Sequence, residues 1–177
     1  MSKLAKLRAK RRKRVKSRKY HFAKRRRLKF HGRKLRAKWH LVRFNRDKKA
    51  IRKLNRLIAK EVKSRRIDWN GCPELSYEPI RQATRLALEV ANGLYVTATT
   101  NGTHSPTSWH YQSRAVDFGS GGPGEEPEKE AQQALLDAFG AGHFAELFGP
   151  DGWYIKNGVK YPGVFPGHAD HLHVAIA

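Results

Sequence analysis

Ser108-Trp109-His110-Tyr111-Gln112-Ser113-Arg114-Ala115-Val116-Asp117-Phe118 runs from a polar loop into a short strand. The loop reads as 101–112 and the strand as Arg114–Phe118. Asp117 lies between Val116 and Phe118, where an unpaired carboxylate is costly to bury. Ligation of a metal removes that cost. The elements on either side must therefore bring partners for Asp117.

Working outward, Tyr77–Ala91 reads as a helix, with Ser76 as N-cap, Pro79 in the first turn and Asn92-Gly93 as the stop. Leu94–Thr100 alternates and is rich in β-formers, which predicts a strand. Beyond the Gly119–Gly124 loop, Glu125–Phe139 predicts a second helix with Ala134, Leu135, Ala138 and Phe139 on one face. Its acidic start, Glu125–Glu130, reads as a solvated helix N-terminus. Trp153–Lys156 and Val159–Tyr161 flank Asn157-Gly158 as a hairpin. His171–Ile176 reads as the last strand. The expected fold class is α+β: a small antiparallel sheet with flanking helices around a metal site.

The N-terminal segment differs in kind. Residues 1–66 carry 31 Lys+Arg and 2 Asp+Glu, a net of +29, whereas the other 111 residues carry 6 and 13, a net of −7. Such asymmetry predicts two modules. The division reads as a basic arm over 1–66, a linker over 67–75 and a folded domain over 76–177. Self-repulsion and sparse apolar residues predict that 1–46 is open or transiently helical. Ile51, Leu54, Leu57, Ile58 and Val62 predict a helix around Asp47–Ser64. The arm's charge and interleaved aromatics fit an anionic polymer: nucleic acid, a wall polymer or a membrane surface. The lone Cys72 excludes an intramolecular disulfide and Cys-rich zinc sites. With no apolar run of membrane-spanning length and no secretory h-region, synthesis in the cytoplasm is expected.

Catalytic zinc takes three N or O ligands and leaves a fourth position for water. His110 on the loop, Asp117 on the next strand and His173 on the terminal strand can supply that set. His104 and His168 read as loop residues, and Trp109, Trp153 and Tyr154 as core or site-wall packing.

The stretch from Ser108 to Asp117 resembles the S-x-H-x-x-G-x-A-x-D motif of the D-alanyl-D-alanine metallopeptidases and related peptidoglycan endopeptidases. Their wider group includes lysostaphin-type enzymes and hedgehog domains. Asp170-His171-Leu172-His173 resembles the second motif, in which an acidic residue precedes the last ligand by three positions. The resemblance spans about Tyr77 to Ile176 and omits the basic arm. It implies Zn²⁺ on His110, Asp117 and His173, with Asp170 as general base. His171 is the alternative base or the group facing the oxyanion. Two departures stand out. Ser113 replaces the motif's glycine, which strains the backbone if that position needs positive φ. Thr97–Gly102 lacks the arginine that holds the substrate carboxylate in the carboxypeptidases.

The resemblance thus implies a zinc endopeptidase acting on the stem or cross-bridge peptide of peptidoglycan. A bacteriophage endolysin, reaching the wall after release or delivery, fits the basic arm. The alternative is a nucleic-acid-binding or virion-structural protein whose metal domain is a non-catalytic scaffold.

Overall fold

The structure, a computed structural model, describes residues 3–30, 34–121 and 125–177, except the side chains of 27–30 and 34–39. The chain forms two compact units, Met1–Ile58 and Ala59–Ala177.

The first unit is built from α1 (Lys3–Phe30) and from α2 (Lys34–Glu61) as far as Ile58. Over the described residues 3–30 and 34–46, helix replaces the open or transiently helical chain expected. Lys and Arg are good helix formers, and no proline interrupts the first 58 residues. The few acceptors are placed across the pair. Buried Arg11 donates from Nε to Asn55 Oδ1 at 2.7 Å, and Arg14 donates from Nη1 to Asp47 Oδ1 at 2.9 Å. Further along, His21 meets His40 at 2.8 Å and the Phe22 and Phe44 rings lie 5.8 Å apart. Partners fall on α2 as numbers rise on α1, so the helices are antiparallel. Burial alone raises the pKa of Asp47, but hydrogen bonds from Ser17 and Arg14 overcome it and hold the carboxyl below its ordinary value.

The second unit is α+β, as the residue pattern implies. It comprises α3 (Glu78–Val90), β1 (Tyr95–Ala98), β2 (Ala115–Gly119), α4 (Glu126–Phe139), β3 (Glu146–Phe148), β4 (Trp153–Lys156), β5 (Val159–Pro162) and β6 (Leu172–Ala175). One sheet carries the order β1-β2-β6-β3-β4-β5, with every pairing antiparallel. β6, last in the chain, sits between β2 and β3, and all four of its residues are buried.

Helix α3 buries Ile80, Ala83, Thr84 and Ala87, the stripe expected of an amphipathic helix on a sheet. Its N-cap is Tyr77, which makes no side-chain cap bond, rather than Ser76. Helices α3 and α4 pack on each other and on β2, and α4 also meets β6. The acidic start of α4 is not wholly solvated. Glu128 is 1 % exposed and accepts a hydrogen bond from Ser120 Oγ at 3.0 Å. Asn157 (φ 50°) and Gly158 (φ 78°) make the tight β4–β5 turn with the positive φ angles such hairpins require.

The segment 67–75 is a bound strap rather than a linker. Ile67, Trp69 and Leu75 are buried. Asn70 Nδ2 donates to Val96 O at 3.0 Å, and Thr99 Oγ1 donates to Pro73 O at 2.8 Å. Three apolar side chains in a turn-rich stretch suffice to anchor it. Among the described residues, no helix is long and apolar enough to cross a membrane.

Candidate metal centre

Register builds the centre. Asp117 on β2 lies directly opposite His173 on β6, and His173 in turn lies opposite Phe148 on β3. On the other side of β2, Asp117 pairs with Ala98, just past an irregularity in β1. A local kink beside a site re-aims the chain, and here it turns the Thr99 carbonyl toward His110.

His110 is presented by a compact turn. Ser113 N donates to His110 O and Arg114 N to Trp109 O, both at 3.0 Å. Closing this turn requires Ser113 to adopt φ 59°, in the left-handed region that favours glycine. The position therefore does need positive φ, and Ser113 carries the strain. Arg114 does not face the centre. Its guanidinium stacks 4.8 Å over the Tyr77 ring.

The three side chains converge. His173 Nδ1 lies 2.7 Å from Asp117 Oδ1, and His110 Nε2 lies 3.2 Å from Asp117 Oδ2. His110 Nε2 and His173 Nδ1 are 3.3 Å apart. A tetrahedral site with ligand bonds of about 2.0–2.1 Å has donor–donor edges of about 3.3–3.4 Å. Two of the three separations come within a few tenths of an ångström of that edge. The third is that of a hydrogen bond.

Both imidazoles are held from behind. His110 Nδ1 is hydrogen-bonded to the Thr99 carbonyl, and His173 Nε2 meets Glu146 Oε2 at 3.1 Å. An acceptor behind each ring fixes a proton on the outer nitrogen and turns the inner lone pair toward Asp117. A carboxylate and two inward lone pairs repel one another unless something positive lies among them. A proton or a metal ion meets that need.

The electrostatics agree. Burial alone raises the Asp117 pKa, but hydrogen bonds and charge from His110 and His173 hold the carboxyl far below its ordinary range. Burial alone lowers the pKa of His173, but the carboxylates of Asp117 and Glu146 on its two ring nitrogens raise it to about 9. Glu146 is held below its ordinary value, chiefly by its hydrogen bond to His173.

His104, read as a loop residue rather than a ligand, does lie in the loop but also stands beside this group. Its ring stacks on His110 with centroids 3.8 Å apart and planes inclined by 6°. One ligand atom each from His104, His110 and Asp117 lies within 4.8 Å of the others, a possible metal-binding triad. His104 Nε2 is also 2.9 Å from Asn101 O.

Asp170 and His171 are not brought into the cluster. Asp170 Oδ1 accepts from His171 Nδ1 at 2.7 Å, and the Asp170 side chain is 85 % exposed. That hydrogen bond is the main cause of a lowered Asp170 pKa. The link inward is His168, whose ring lies 4.7 Å from His171 and 5.5 Å from His173. An aromatic wall continues from the centre. Phe148 stacks on His173 at 5.5 Å and on Phe165 at 4.1 Å, and Phe165 meets Tyr154 at 5.2 Å. Trp109 packs instead on the small-residue core of Ala115, Ala145 and Ala175.

Comparison with protein-family models, curated proteins and solved structures found no match for this chain.

Proposed function

We propose that the second unit is a zinc-dependent peptidase that hydrolyses peptide bonds in bacterial peptidoglycan, with His110, Asp117 and His173 as the metal ligands. One observation carries this reading. Three acceptor groups face a common point, and each histidine is oriented from outside by an acceptor of its own. The donor set, two imidazoles and one carboxylate, suits catalytic zinc. The resemblance of Ser108–Asp117 and Asp170–His173 to the two motifs of the metallopeptidases supports the same set. Ser113 in the left-handed region, where those motifs carry glycine, is a further point of agreement.

When bound, zinc acidifies its water toward a pKa of about 7 and polarises the scissile carbonyl. The protein's own groups do the rest. Asp117 and the inner nitrogens of His110 and His173 hold the ion. Thr99 O and Glu146 keep both rings in the ligating tautomer. Asp170 is the proposed general base, and His171, hydrogen-bonded to it through Nδ1, is the alternative. Phe148, Phe165 and Tyr154 offer an apolar wall for the substrate beside His173.

Thr97–Gly102 carries no cation to grip a terminal carboxylate, which favours an endopeptidase cutting within the stem or cross-bridge. The first unit, with most of the positive charge, concentrates the protein at anionic polymers. Zymography on bacterial walls tests the reading. Lysis zones should vanish with chelator and with His110→Ala, shown by circular dichroism to be folded. Lysis that survives both refutes it.

A second reading, a non-catalytic scaffold joined to a nucleic-acid-binding arm, draws on the exposure of Asp170 away from the cluster. Metal-loaded protein that binds nucleic acid but opens no peptide bond would establish it.

A further inference from the structure

The helical pair contains a groove that the peptidase chemistry does not use. Its lining comes from two complete helical stripes: Lys10, Lys13, Arg14 and Ser17 on α1, and Ala50, Lys53, Leu54 and Leu57 on α2. Each set repeats at i, i+3, i+4 and i+7, so each is a single helix face. The groove holds about 690 Å³, within the range of small-ligand sites.

Its chemistry is divided. Arg14 is neutralised by Asp47 at 2.9 Å. Lys10, Lys13 and Lys53 are exposed, and among the described residues none is paired with a carboxylate. Three ammonium groups around one groove repel each other, and an anion between them relieves that repulsion. The remaining lining is aliphatic. Ala50, Leu54 and Leu57 supply hydrocarbon, and Leu57 is 37 % exposed.

We propose that this groove binds an anionic phospholipid at a membrane surface, the phosphate meeting the three lysines and the first methylenes lying on Leu54 and Leu57. The inference rests on the polyanion-binding reading of the N-terminal segment and narrows it to one partner. A nucleic acid would satisfy the lysines equally well. It would leave the aliphatic surface uncovered, and no aromatic lines the groove for a base to stack on. A lipid satisfies both parts. Binding is interfacial, consistent with basic helices that lie on anionic membranes without crossing them.

The test uses the full chain and three variants. The groove variant is Lys10→Gln/Lys13→Gln/Lys53→Gln. A charge-matched control, Lys6→Gln/Lys16→Gln/Lys49→Gln, alters exposed lysines of the same helices outside the groove. The third, Leu57→Asn, alters only the aliphatic surface. Helicity is checked for each by circular dichroism. Affinity is measured for vesicles of phosphatidylcholine mixed with phosphatidylglycerol, for phosphatidylcholine alone, and for duplex DNA. About fivefold per lysine at an anionic surface gives a loss on the order of a hundredfold for the groove variant on mixed vesicles. The control should lose at least about tenfold less, and Leu57→Asn should weaken vesicle binding while leaving DNA binding unchanged. Equal losses in the groove variant and the control overturn the groove, leaving only net charge. DNA binding that falls with the groove lysines while vesicle binding persists overturns the lipid. Failure of the parent protein to bind mixed vesicles and DNA alike overturns the polyanion reading itself, and the groove with it.

Discussion

In the proposed metal centre a proton and a metal ion would compete for one atom, His173 Nδ1, and the competition would set a measurable pH dependence. Without an ion, His173 donates to Asp117 and Glu146 and keeps its second proton up to a pKa of about 9. Ligation needs that nitrogen bare, so binding at neutral pH must expel the proton. Going from pH 7 to pH 9, where about half of the His173 population still holds the proton, removes about 1.7 units of competition, worth about 2.3 kcal/mol at about 1.36 kcal/mol per unit. Apparent affinity should rise about fiftyfold over that range. A histidine at its ordinary pKa of about 6.5 would give a plateau instead. Calorimetric titration in buffers of different ionisation enthalpy, against a competing chelator of known pH dependence, measures both quantities. The expected result is close to one proton released per ion at neutral pH. The metal-free protein should behave in the opposite sense. His173's folded pKa is raised, so its stabilising contribution is full below the unfolded value and is lost as pH rises through about 9. An affinity flat between pH 7 and pH 9, with no proton released, would refute the reasoning.

Other outcomes follow from the same geometry. Replacing Ser113 by glycine should stabilise the fold. The left-handed backbone costs a residue with a Cβ about 1–2 kcal/mol, against about 0.5–1 kcal/mol of added chain entropy, so a thermal melt should shift up by a few degrees. A downward shift would show that Ser113 is not strained. Glu146→Gln keeps an acceptor behind His173 but removes its charge; metal affinity at high pH should fall about ten- to hundredfold with the fold intact. Unchanged affinity would mean that Glu146 plays no part in the centre. Asp170→Asn and His171→Ala should each lower kcat by about 10²–10⁴-fold, with the double variant little worse than either single. Additive losses would separate the two residues into independent roles.

The elements that depend on local pattern were legible from the residues alone. The α3 helix, the β1 and β2 strands, the Asn157-Gly158 turn and the α+β class are of this kind. The meeting of His110, Asp117 and His173 was anticipated from ligand types on the loop before β2, on β2 and on the terminal strand, and from the resemblance to the two motifs. Glu146 was not legible. Strand β3 has three residues, too few to show a period of two, and β6 enters between β2 and β3 only through long-range pairing. His104 was missed because stacking on His110 is a tertiary contact with no local signature. The basic helices were underread because charge counting registers repulsion but not where Asp47 and Asn55 accept from Arg14 and Arg11. Helix content then follows from pairing that composition does not reveal.

The central claim is that this centre holds zinc to cut peptidoglycan. Digestion of purified peptidoglycan with zinc-loaded protein, followed by mass spectrometry of the new termini, tests it most directly. The expected result is new amino termini within the stem or cross-bridge peptide, absent with chelator and absent with folded His110→Ala. Intact peptides after treatment with zinc-loaded protein, or the same termini from the His110→Ala variant, would contradict it.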